Sequence, residues 1–174
     1  RDSMLAVSGR LDSQLYGRPI FPPRVAEDPA KRLFAGPLDG RGRRSVYLQM
    51  SIMEPPKFLV GFNLPDLRLP TGRRDETNVP AQALMLLNDP FVIAMARHWG
   101  QQLMKSSHAT PEDRVRAMFV AAFARSPSDT ELNRWSSAAR DLASPGHADL
   151  MKDETAWANL GHAFFNAKEF LYYR

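Results

Sequence analysis

Pro80-Ala81-Gln82-Ala83-Leu84-Met85-Leu86-Leu87-Asn88-Asp89-Pro90 is the stretch on which the fold turns. A proline drives the residue before it out of the helical region, so Val79 is predicted extended and Pro80 is predicted to open a helix. Gln82 then stands where its side chain reaches back to the entering backbone. Between Ala81 and Leu87 the helix has almost no polar face, and a helix of that kind is expected to be buried on all sides. Asp89-Pro90 repeats the start signal, an N-cap followed by proline in the first turn. The expectation is a buried helix-break-helix corner, with Arg73-Arg74-Asp75-Glu76-Thr77-Asn78 at its entrance.

Downstream of this corner the chain reads as helical throughout. Phe91, Val92, Met95, Ala96, Trp99 and Leu103 define one face over residues 90–104. Thr110-Pro111-Glu112-Asp113 combines cap, proline and acidic first turn. Val115, Met118, Phe119, Ala122 and Phe123 follow at helical spacing. Ser128-Asp129-Thr130-Glu131 is a capping box. It opens a helix with Leu132, Trp135, Ala139 and Leu142 inward. A last long helix from about Asp153 directs Trp157, Leu160, Phe164 and Phe165 inward, and an aromatic segment closes the chain.

Upstream the pattern changes. Residues 1–8 read as the end of a helix, with Gly9 as its C′ residue. Residues 17–44 are studded with Pro and Gly and carry one helical turn at 29–33. A structureless connection of this length either wraps a surface or binds something. Tyr16, Ile20, Phe21, Val25, Leu33 and Phe34 favour wrapping, by plugging into apolar grooves. Arg10 and Asp12 are expected to pair locally. Arg43 to Met50 alternates loosely enough for one short strand. The predicted fold class is therefore mainly α. A bundle of about five helices over 75–174 is wrapped by an extended Pro/Gly-rich N-terminal arm over 1–74, in one domain of 174 residues, with at most one short strand.

Composition bounds the function. Hydrophobic content of 44% supports a packed core. No apolar run is long enough to span a bilayer. There is no cysteine, which removes disulfides, thiolate metal sites and covalent haem attachment. Residues 1–74 carry 13 Lys/Arg against 7 Asp/Glu, and residues 75–174 carry 10 against 12. The basic half is built of arginines scattered among Pro and Gly, not of a contiguous cationic face, which argues against nucleic acid. With neither an initiator Met nor a signal peptide, residue 1 is expected to be internal to a longer polypeptide.

The candidate site residues cluster at the corner. Arg73 and Arg74 precede a helix N-terminus, where anions are favoured, and Arg43 and Arg44 supply two further guanidinium forks. Thr77, Asn78 and Gln82 supply hydroxyl and amide groups. Two readings compete: anion or partner binding through these seven residues, or internal pairing that fixes the loop, the commoner use of such groups. Asp12, Asp66 and Asp75 are a conceivable carboxylate cluster, although turn aspartates usually bond their own backbone. His98, His108, His147 and His162 show no metal-ligand spacing, and His98 and His162 read as packed side chains. The eight methionines read as core filler.

Seven motifs also occur in a recognisable order. They are Ser8-Gly9-Arg10-Leu11-Asp12, Arg43 to Leu48, Phe62-Asn63-Leu64-Pro65-Asp66, Arg73 to Leu84, Leu86 to Pro90, Phe123-Ala124-Arg125-Ser126-Pro127 and Phe165 to Leu171. Together they resemble the C-terminal domain of large cytochrome-c-associated proteins of planctomycetes and their relatives, domain of unknown function 1553. The resemblance implies an exported, extracytoplasmic parent with a haem-binding segment and a second helical domain ahead of this one, and it supplies no reaction. Two positions depart from the pattern: Asn63 stands where an Asp is usual, and Pro70 where many members carry Cys, so any metal or redox role placed on those residues is in doubt here. The functional expectation is a non-catalytic interaction module. It holds no cofactor of its own and docks on the rest of its parent chain or on another subunit, such as a c-type cytochrome. The alternative is a binding or hydrolytic domain for an anionic ligand such as a sulfated or uronic polysaccharide.

Overall fold

Eight helices carry the structure, a computed structural model that describes residues 1–73, 77–146 and 149–172. They are α1 (Asp2–Val7), α2 (Lys57–Gly61), α3 (Pro80–Asn88), α4 (Pro90–Lys105), α5 (Pro111–Phe123), α6 (Asp129–Asp141), α7 (Glu154–Phe165) and α8 (Lys168–Leu171). Among the described residues there is no strand. The five longest helices, α3 to α7, form the bundle, and short 3₁₀ turns punctuate the arm.

The central pair is α4 and α7. They approach closely because the contact is made of small residues: a Cβ on Gly100 would stand 2.9 Å from the Ala158 backbone nitrogen. Around that seam the apolar stripes predicted from spacing are buried. Phe91, Val92, Met95, Ala96, Trp99 and Leu103 of α4 face Trp157, Leu160, Phe164 and Phe165 of α7. Phe164 is the hub of the aromatic packing, with ring centroids 5.2 Å from Phe119, 5.3 Å from Phe123 and 4.1 Å from Trp135. Burial of such rings is the main source of stability in a core of this size.

The helix starts follow the sequence signals. The Asp89 carboxylate accepts from Phe91 N at 2.8 Å, and Thr110 Oγ1 from Asp113 N at 3.1 Å. Ser128 and Glu131 exchange both bonds of their capping box. Asp153 caps α7 and also accepts from the backbone and hydroxyl of Ser144. Each of these side chains satisfies amide protons that a helix leaves without partners. At the end of α5, Ala124 takes the left-handed conformation at φ 55°, a cap that no glycine announces.

The α3 helix departs from expectation. Leu86 is 2% exposed, but Leu84 is 60% and Leu87 50% exposed. The helix lies on the bundle as an outer layer over α4, with α2 against it, and buries one face only. With Gln82 and Asn88 its only polar residues, the helix therefore leaves leucines on the surface. Composition can show that a helix has no polar side; it cannot show how many neighbours the helix has.

The arm also differs in detail. Residues 10–56 fold mostly on themselves. Asp12 N donates to Gly42 O at 2.8 Å, Ile20 N to Tyr47 O at 2.9 Å and Gly36 N to Pro22 O at 2.9 Å. Arg43 and Leu48 make isolated bridges to Asp12 and Ile20 in place of the expected strand. The strand is interrupted because Ser45 is tied into a turn, its amide and hydroxyl both donating to Asp2. Of the six predicted plugs only Leu33 is buried; Val25 is 99% exposed, and Phe21 and Phe34 pack on each other at 5.1 Å. Arg10 pairs with Asp39, not Asp12, and Asp12 accepts instead from Gln14 N at 2.9 Å. Backbone pairing brings Asp39 over Arg10, a proximity invisible to local spacing.

Candidate functional site

Gln82 is the residue on which the site is built. It is buried in the first turn of α3, and its carboxamide makes three contacts. Nε2 donates to Gly61 O at 3.1 Å and to Thr77 Oγ1 at 3.0 Å, and Oε1 accepts from Val79 N at 3.4 Å. The Thr77 hydroxyl donates in turn to Asn63 Oδ1 at 3.0 Å. One amide therefore ties the end of α2, the loop before α3 and the first turn of α3 together. Asn63 sits at φ 59°, in the left-handed region that Asn tolerates better than most residues. Its carbonyl oxygen fills the acceptor role an Asp would fill, so the departure from Asp leaves this bond intact.

Above this network opens a polar basin of about 500 Å³. Asn63, Thr77, Asn78 and Gln82 line one side, and Asn166, from the link between α7 and α8, and Lys168, the first residue of α8, line the other. Phe62, Leu86 and Leu171 form its floor and belong equally to a second, apolar basin of about 570 Å³. That basin lies between α1, α2 and α8, with Met4, Met50, Phe58, Leu64 and Phe170 among its walls. The two basins adjoin at these three residues to form a groove; the first is rich in amides, and the second is mainly apolar with Arg1, Asp2, Ser3 and Ser45 also in its lining. Leu86 anchors the shared floor. Its carbonyl, which lies near the C-terminus of α3 and lacks an intrahelical donor, is met by His162 Nε2 at 2.9 Å. A carbonyl only accepts, so Nε2 carries the proton.

Of the seven candidate residues six are described, and they do not all come together. Thr77, Asn78 and Gln82 come together in the polar basin. Arg43 and Arg44 do not line it. Arg43 is 8% exposed, with its guanidinium 4.1 Å over the Tyr47 ring and donating to Tyr16 O. It serves the arm. Arg44 is exposed, with Nε 3.8 Å from Asp2. Arg73 is exposed and does not line the basin. Arg74, Asp75 and Glu76 lie outside the described residues, as does His147. The supposed carboxylate cluster is not assembled among the described residues: Asp12 caps a turn, and Asp66 makes a two-point pair with Arg68. That hydrogen-bonded pair brings the Asp66 carboxyl down to about 2. The described lining of the polar basin contains no carboxylate and no histidine. Its chemistry is hydrogen bonding by hydroxyl and amide groups together with one ammonium. Among the described residues no group of His, Cys, Asp or Glu is arranged to hold a metal ion, and no helix is long and apolar enough to cross a membrane.

Sequence reading missed Asn166 and Lys168 as partners of Thr77 and Asn78. The only signal was their membership in recurring motifs at opposite ends of the bundle. Two other motif residues also meet. Arg125 binds Glu131 and Glu169 through paired contacts of 2.6–2.9 Å. This network pins α8, and hence one wall of the groove, to the junction of α5 and α6. It raises the Arg125 pKa further, mainly through Glu169, and lowers Glu131 to about 2, mainly through Arg125.

No curated protein and no solved structure matches the chain. Residues 1–139 match a family described as a protein of unknown function (DUF1553). That segment holds α1 to α5, most of α6 and the Gln82 network, so the chain belongs to the DUF1553 family.

Proposed function

We propose that this chain is a non-catalytic docking module that takes an extended segment of a partner polypeptide into the groove between α2, α3 and α8. The carrying observation is the continuity of the groove across Phe62, Leu86 and Leu171. An apolar trough opening onto hydrogen-bonding groups suits a polypeptide, which offers side chains to one and backbone to the other. The use of Arg43 on Tyr16 and Tyr47 supports the same reading over an anion clamp, because a clamp needs its guanidinium groups turned toward the ligand. The resemblance to planctomycete cytochrome-c-associated proteins supports an extracytoplasmic setting. It also supports a partner that is the remainder of the parent chain or another subunit, such as a c-type cytochrome, with any haem held there.

The test is site-specific photo-crosslinking in cells that make the full protein. A benzophenone amino acid at Met50, on the groove, is expected to attach one polypeptide segment that peptide mapping identifies. The same group at Val120, exposed on α5, is expected to attach none. Equal products from the two positions, or none from Met50, overturn the proposal.

A further inference from the structure

The groove is electrically one-sided. At its apolar end the charged groups are saturated. The Arg1 guanidinium donates to Asp39 O and Arg43 O, both at 2.8 Å, and Asp2 accepts from the amide and hydroxyl of Ser45. At the polar end Lys168 is exposed and has no ion-pair partner among the described residues. The adjacent carboxylate, Glu169, is held by Arg125 at 2.6 and 2.7 Å and is turned away from that use. Among the described residues Asn78 also enters no hydrogen bond through its side chain. Asn166 commits one amide N–H to His162 O at 2.9 Å, and its carbonyl oxygen is an acceptor that a ligand can use. Among the described residues the polar end thus presents an ammonium and an amide donor from Asn78, neither with a partner, beside an acceptor.

Resting on the docking reading above, we infer that the bound segment lies in one direction only, with an apolar side chain against Phe58 and Phe170 and a carboxylate against Lys168 and Asn78. The ammonium and amide protons stabilise the anion by charge-assisted hydrogen bonds. The mainly apolar basin disfavours a carboxylate, both by the cost of removing it from water and by the Asp2 charge already in its lining. The Asn166 oxygen receives a backbone N–H next to the carboxylate. The carboxylate is that of the segment's own C-terminus, because a terminal residue carries a backbone N–H beside its carboxylate and so matches the acceptor of Asn166 and the donors of Lys168 and Asn78 together.

Two random heptapeptide libraries are displayed to the full chain, one with free and one with blocked C-termini. With free termini, the expected selection is for Phe, Leu, Ile or Met a few positions ahead of the terminal carboxylate. Recovery only from the free library supports the chain terminus; recovery of the same pattern ahead of Asp or Glu from the blocked library overturns it in favour of a side chain. The best peptide is expected to bind Lys168→Gln about tenfold more weakly, which corresponds to about 1.4 kcal/mol. Lys168→Glu is expected to shift selection toward Lys and Arg. Unchanged thermal unfolding of both variants shows that the fold persists. Selection of apolar peptides with no acidic preference, or a selection indifferent to Lys168, overturns the inferred direction and leaves docking standing. Failure of both libraries to enrich any sequence overturns docking and direction together.

Discussion

Replacing Leu86 with alanine tests the placement of α3 more sharply than any other change. The side chain is 2% exposed and forms part of the groove floor. Leu→Ala removes about three carbon groups, worth about 2.4 kcal/mol of transfer free energy. The cavity left in a partly rigid floor raises the loss to about 3–4 kcal/mol. For a chain of this length that lowers the unfolding midpoint by roughly 6–15 °C. Leu84→Ala is the matched control. Leu84 is already 60% exposed, so the transfer loss is about 1 kcal/mol or less, and alanine's better helix propensity offsets part of it. Urea unfolding followed by far-UV circular dichroism, on both variants and the parent, gives the two differences directly. Equal losses at the two positions would mean that the helix is buried all round after all, and the groove built on its Leu86 face would go with it.

The ion-pair network of Arg125 carries a pH signature. Glu131 has its pKa lowered from an ordinary 4.5 to about 2, first by Arg125. A carboxyl with a depressed folded-state pKa binds fewer protons when folded than when unfolded. Its stabilisation is therefore complete above about pH 4.5 and fades as pH falls toward 2. Arg125→Met is expected to lower the unfolding midpoint at pH 7 and to converge on the parent near pH 2; a difference that stays constant with pH refutes the assignment. Gly42 adopts φ 76°, and a Cβ there would overlap the Arg10 carbonyl oxygen. Gly42→Ala is expected to cost about 1–3 kcal/mol through strain and to speed proteolysis within residues 10–50, while near-ultraviolet circular dichroism from the Trp99 and Trp157 core stays native. Loss of that core signal would show that the arm and the bundle do not fold separately in this sense.

The long helices were legible because each carries a period and a punctuation mark of its own. Thr110-Pro111, Ser128 with Glu131, and Asp153 all act as read, since a cap bonds backbone within three residues and needs no distant partner. The stripes of α4 and α7 were legible for a related reason: a helix with one apolar face has one way to hide it. The arm was legible only in outline. Proline and glycine mark where regular structure stops, but which backbone pairs with which depends on chain reversal, so Arg10 was assigned to Asp12 when Asp39 is its partner. Of the site, Thr77, Asn78 and Gln82 were named from the sequence. Their neighbours Asn63, Asn166 and Lys168 were not assembled with them, because they arrive from α2 and from beyond α7.

Local chemistry by itself thus determined a mainly helical chain, the start of each long helix and the inward stripes of the central pair, and the order of its motifs matched the family. Tertiary structure alone decided that α3 covers the bundle instead of lying inside it, that Arg43 serves the arm, and that Lys168 faces Asn78 across a groove. The division follows from range. Caps and periodicities are satisfied within a few residues of where they are written, whereas exposure, and the company a charge such as Lys168 keeps, depend on residues 90 positions away and exist only once the chain has folded.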